Sequence, residues 1–168
     1  MHFNLLKKYI YLYIAVGVIS FLGVTFFSYK IDYAHLYNKY SDSLYRQAIS
    51  ISTEYASDYF SNEHLRVIET QLKTVSSLSN TRIIFIDPNG NVILDTQYNS
   101  PTDENGHLYT VTDFDYSNLG TSHTLTGDFY GTFDSTYISV FAPITNAFTT
   151  KGYVVVNIPE KTITDDVY

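Results

Sequence analysis

The chain of 168 residues has no cysteine. That excludes disulfides, thiolate metal sites and cysteine nucleophiles. It does not assign a compartment, because exported bacterial domains often lack disulfides. Tryptophan is absent too, and the four prolines begin only at Pro88. Neither proline nor glycine interrupts residues 30–87, so nothing there forces a helix to end. Basic residues are few: 10 Lys and Arg against 17 Asp and Glu, a net charge of −7. The balance is uneven, with +3 on residues 1–30 and −10 on the remainder. Nucleic-acid binding needs phosphate neutralisation by Lys and Arg. An acidic body without a basic stripe or a nucleic-acid motif therefore predicts no such partner. No serine or threonine sits in a G-x-S-x-G turn. His35 and His64 lie in predicted helices, far along the chain from suitable partners. Nothing supports an enzyme or a catalytic residue.

What the chain has is aromatic side chains, 17 Tyr and 11 Phe. Tyrosine is apolar in body and polar at its tip, which suits interfaces and wet pockets. Residues 9–29, "YIYLYIAVGVISFLGVTFFSY", carry no charge. At about 1.5 Å per residue they cover the roughly 30 Å hydrocarbon core of a bilayer. A buried soluble helix is the plain alternative, but one apolar on every side is rare in a domain this small. A cleaved signal peptide is the nearer rival. It needs a shorter apolar core and a small-x-small cleavage site, and "TFFSYKI" offers none. Tyrosines at both ends match interfacial belts, and Lys7 and Lys8 before the span predict a cytoplasmic N-terminus.

Beyond the span, Tyr37, Tyr40, Leu44, Ala48, Ile51, Tyr55 and Tyr59 recur every three or four residues. They predict one helical face, opposite Asn38, Asp42, Arg46 and Glu54, in a helix reaching about residue 60. That stripe packs either on its own sheet or on the same helix of a second chain. Ser61 or Asn62, with Glu63, then caps a shorter helix striped by Leu65, Ile68, Leu72 and Val75. Strands are predicted at 82–87 and 91–96, joined by the turn "DPNG". There Pro88 fits the second position, and Gly90 takes positive φ and closes the hairpin with a bulge. Weaker strands are predicted at 108–112 and 122–129, and strong ones at 136–144 and 151–159. Segment 97–121 is too long for a simple connection and reads as functional or mobile. Helices on one side of an antiparallel sheet make an α+β domain. "IIFI" is apolar on both pleat faces, so the first strand should be covered on both sides.

Several residues together resemble a known family. They are the apolar strand ending in Asp87, Pro88-Asn89-Gly90, "NVILD" to Asp95, Gly127-Asp128, Gly131, "YISVFAPI" with Pro143, and "KGYVVVNIP" with Gly152 and Pro159. In this order they are similar to the extracytoplasmic PAS-like sensor domains, of single Cache type, in bacterial membrane-bound sensor histidine kinases. The resemblance implies a five-stranded sheet flanked by the long helix, and a ligand or signal pocket on the sheet's other face. It also implies a homodimer that passes a helix movement across the membrane, and a second span followed by a kinase core. Neither of those last two lies within these residues.

The expectations are therefore an α+β fold with a transmembrane helix continuing into a long helix on a PAS/Cache-like sheet. Residues 1–8 form a cytoplasmic tail, 9–29 the span, and 30–168 the extracytoplasmic sensor domain. The function is signal sensing for a two-component histidine kinase, with the membrane, a second copy, and an unknown small ligand or protein signal as partners. The alternative is an anchored extracellular binding or adhesion module without signalling output. Asp87 and Asp95 invite a paired-carboxylate reading, but Asp87 serves its own turn and Asp95 a strand end. His107, Asp113, Asp115 and His123 have ligand chemistry without ligand spacing, so no metal or cofactor is predicted. If Ile138, Val140 and Ala142 face the helix, Tyr137 and Ser139 point at the pocket. Arg82 is then placed to pair with an anionic ligand. Arg82, Tyr137 and Ser139 are the predicted binding residues.

Overall fold

The computed structural model describes residues 2–54, 65–98, 108–119, 123–146 and 148–167. The first element, α1, is one unbroken helix of 53 residues, His2–Glu54. At about 1.5 Å per residue it is a rod of about 80 Å. Its N-terminal part is long and apolar enough to cross a membrane. Side chains there touch little of their own chain: Tyr13 is 79 % exposed and Phe21 71 %. Such an apolar surface needs a covering, and the described residues do not supply one.

Among the described residues six strands follow: β1 (Arg82–Ile86), β2 (Asn91–Asp95), β3 (Tyr109–Thr110), β4 (Thr124–Gly127), β5 (Tyr137–Asn146) and β6 (Thr149–Pro159). They form one antiparallel sheet in the order β3-β2-β1-β6-β5-β4. The resemblance implies five strands, one fewer than these; the shortest is the two-residue edge strand β3. A second helix, α2 (Leu65–Ser79), precedes the sheet, and a third, α3 (Glu160–Val167), follows it.

The stripe on α1 packs on its own sheet. Leu44, Ala48 and Ile51 are buried against Ile83, Phe85, Ile138, Val140, Ala142, Val154 and Val156. Burial of a Leu or Ile side chain contributes about 1.5–3 kcal/mol, so these contacts tie the helix firmly to the domain. Asn38, Asp42, Arg46 and Glu54 are exposed, as the periodicity predicts. Tyr55 and Tyr59 lie outside the described residues, as does the cap at residues 61–63. Ile68 and Leu72 of α2 join the same core, with Val75 at its edge.

The opposite face carries a second core, made of Ile84, Ile86, Val92, Val111, Phe129, Phe133, Phe141 and Val155. Strand β1 is thus buried on both faces, as "IIFI" implies. The hairpin turn forms as expected. The Asp87 carboxylate accepts the Asn89 and Asn91 amides at 2.8 and 2.9 Å. Gly90 takes φ +87°, and a Cβ there would lie 2.6 Å from the Val111 carbonyl oxygen. Only glycine satisfies both demands.

Helix α3 has a direction the sequence did not suggest. Tyr33 Oη donates to Glu160 at 2.5 Å, and Tyr40 Oη donates to Asp166 at 2.5 Å. Glu160 begins α3 and Asp166 lies in its last turn, so α3 runs along α1 in the same sense, away from the apolar span. Ile163 anchors it in the helix-side core at 0 % exposure.

Candidate functional site

The face of the sheet opposite α1 gathers the polar and aromatic groups. A register shift between Phe85 and Ile86 opposes Ile86 to Val92 and Phe85 to Leu94, so β2 has one more residue than β1 at this point. This bulge resets the alternation of β2. Val92 faces one core and Leu94 the other, so Asp95 falls on the same face as Arg82. Strict alternation from Val92 would have driven the Asp95 carboxylate into the helix-side core.

Arg82 and Asp95 form a buried ion pair, 8 % and 2 % exposed. Arg82 Nε donates to both Asp95 oxygens, at 3.0 and 3.2 Å, and Nη2 donates as well. Tyr109 Oη on β3 donates to the same carboxylate at 2.7 Å, and the Gln97 amide at 3.0 Å. The carboxylate thus accepts from three residues, the kind of hydrogen bonding a buried pair needs to offset desolvation. Burial pulls the Arg82 pKa down, but the hydrogen bond and charge of Asp95 outweigh it and leave it raised. Burial, then Asp95, pushes the Tyr109 phenol up. Both groups keep their protons through the neutral range, so they offer hydrogen bonds rather than proton transfer.

The guanidinium is capped by rings. Its Cζ lies 4.5 Å from the Phe133 centroid and 5.7 Å from that of Tyr98, within cation–π range. Phe133 comes from the turn between β4 and β5. The strand predicted over 122–129 stops at Gly127, because Phe129, Tyr130 and Gly131 take φ of 50°, 55° and 75°. Asp128 holds that turn, accepting the Gly131 amide on Oδ1 at 3.1 Å and the Phe133 amide on its carbonyl at 2.8 Å.

Outside this cluster lies a partly open cleft of about 490 Å³, lined by Arg82, Gln97, Tyr98, Phe133, Asp134 and Tyr137 among others. That volume suits a small ligand. Two of the predicted binding residues, Arg82 and Tyr137, share it. Ser139 does not line it. It lies two residues further along β5, at 1 % exposure. The predicted facing is observed: Ile138, Val140 and Ala142 lie on the helix side, and Phe141 and Tyr137 on the other. Sequence reasoning assigned Asp95 to a strand end and missed its pairing with Arg82, together with Tyr109, Phe133 and Asn157. The opposite signs of Arg82 and Asp95 at the two ends of the hairpin were the available signal.

The remaining candidates disperse. His123 is stacked between Tyr45 of α1 and Tyr116, at 5.6 and 5.8 Å, and its Nδ1 lies 2.9 Å from Tyr116 Oη. Asp115 accepts from the Ser117 amide and hydroxyl. Asp113 is exposed, and His107 and His64 lie outside the described residues. Among the described residues no three His, Cys, Asp or Glu side chains cluster as metal ligands would. A second cleft, of about 590 Å³, lies between α1 and β4 beside Tyr37, Tyr45 and His123. No protein-family model and no curated protein matches the chain.

Proposed function

We propose that the chain is the anchored, extracytoplasmic sensing region of a two-component sensor histidine kinase. The observation that carries this reading is the continuity of α1. One helix passes without a break from an apolar span into the core of an α+β domain. A ligand on the sheet can act across a membrane only if it binds one packing of that helix better than another. Arg82, Tyr137 and the cleft beside them supply the binding place on the sheet's far face. The N-terminus is cytoplasmic on this reading, and a second copy joins through α1. Because the α1 stripe is spent on its own sheet, that contact uses the span and the other surface of the helix, where Ile31 is 66 % exposed.

The direction of α3 favours the alternative of an anchored binding module without signalling output. After β6 the chain climbs α1 rather than descending toward the span. Two measurements separate the readings. The chain is free of cysteine, so a single cysteine at exposed Asp128 reports its side of the membrane through a membrane-impermeant maleimide. Labelling in intact cells is expected, and protection until lysis refutes the topology. The coding sequence beyond residue 168 is expected to hold a second span and a kinase core; a different continuation refutes the sensor reading.

A further inference from the structure

We propose that Ser139 and Asn157 form the polar floor of a closed binding site for a small neutral molecule bearing hydroxyl groups. This deepens the sensor reading, and rests on it, by naming the class of signal. Ser139 is 1 % exposed and Asn157 0 %. Ser139 Oγ and Asn157 Oδ1 have no hydrogen-bond partner among the described residues. Buried polar groups are almost always satisfied, and an unmet one points to a missing partner. The two residues oppose each other across β5 and β6, so their side chains share a face as immediate neighbours. The Asn157 amide cannot turn over to meet Ser139, because its Nδ2 donates to the Arg82 carbonyl at 3.0 Å. A flip would set oxygen against oxygen.

The missing partner must donate to Asn157 Oδ1 and exchange a hydrogen bond with Ser139. A hydroxyl does both. A carboxylate cannot donate to Asn157 Oδ1, and an ammonium, which could donate to both oxygens, would leave the Ser139 O–H without an acceptor. Charge agrees: Arg82 is already neutralised by Asp95, and a second buried charge would lie uncompensated.

On this proposal the roof is a set of rings on a strained turn. Along β5, Ser139 lies between Tyr137 and Phe141. Phe133 contacts Tyr137 at 4.5 Å, Phe129 contacts Phe141 at 6.0 Å, and the two roof rings stack at 5.0 Å. Phe129 and Tyr130 both hold left-handed backbone, which side-chain-bearing residues rarely adopt. Ring packing holds the roof down against that strain. Its outer edge, Phe133 and Tyr137, is the wall of the 490 Å³ cleft. A molecule entering there reaches the floor by displacing Phe133.

The test uses the full chain in lipid nanodiscs, with myo-inositol and D-glucose as neutral probes and acetate and ethanolamine as charged ones. At least one neutral probe is expected to raise the melting temperature in a saturable way. Ser139→Ala is expected to weaken that binding about tenfold, the loss of one hydrogen bond, without lowering the melting temperature of the unliganded protein. Phe133→Ala is expected to speed association. Binding of a charged probe alone overturns the proposal, as does unchanged affinity in Ser139→Ala. No response to either neutral probe overturns it too, a buried water then satisfying both atoms. The assay reads occupancy only, so its failure leaves the topology and coding-sequence tests of the sensor reading untouched.

Discussion

Asp95→Ala is the most telling single change in this domain. It deletes a carboxylate that accepts from Arg82, Tyr109 and the Gln97 amide, and leaves a guanidinium 8 % exposed without its counter-charge. Breaking a buried pair from one side typically costs about 3–5 kcal/mol. The adjoining cleft gives Arg82 some access to water, which places the expected loss near about 3 kcal/mol. Against a domain stability of about 5–15 kcal/mol, that is a large fraction. The double variant Arg82→Met with Asp95→Leu removes both charges while keeping volume, and is expected within about 1 kcal/mol of the parent. Urea unfolding followed by tyrosine fluorescence and circular dichroism, as a double-mutant cycle, measures both. A cost below about 1 kcal/mol for Asp95→Ala would refute the reasoning. So would a double variant as unstable as the single one. Either result would mean that the pair behaves as an exposed one.

Other consequences are equally direct. Gly90→Ala meets both positive φ and the Val111 carbonyl, and should cost at least about 1–3 kcal/mol in the same assay. Leu72→Ala empties a site at 0 % exposure and should cost about 2–5 kcal/mol. Burial, then Glu160, pushes the Tyr33 phenol from 10.0 up to about 12. Its contribution is fully present below pH 10 and is lost as pH rises through about 12. Tyr33→Phe should flatten that part of an alkaline stability profile, and an unchanged profile would free α3 from this contact. Leu44→Pro breaks α1 within its buried stripe. On the sensing reading, output in the full receptor should fall, and intact output would show that a rigid helix is not required.

Much of the fold was legible because its signals are local. The α1 stripe, the "DPNG" turn and the alternation of β5 each depend on neighbours within a few residues, and each forms as read. The site was legible only in outline. The face Asp95 occupies depends on the bulge at Ile93, and that bulge depends on which β1 residues β2 opposes. Single-sequence periodicity carries no such information. Phe129 looked like the end of a strand because its neighbours alternate, yet the backbone turns left-handed there to bring Phe129 and Phe133 over the sheet. Helix α3 was hidden for a different reason. "EKTITDDV" has one strongly apolar anchor, Ile163, and owes its position to tyrosine hydroxyls more than a hundred residues away.

The parallel course of α3 and α1 also sets how the domain meets mechanical load. Tension arriving from the C-terminal side is felt first at Asp166, the far end of α3. If it pulls away from the apolar span, the two helices slide past one another, and Tyr33–Glu160 and Tyr40–Asp166 resist together. If it pulls toward the span, Asp166 peels from Tyr40 before Glu160 feels anything, so the contacts yield in sequence. The same two hydrogen bonds thus form a strong fastening in one direction and a weak one in the other.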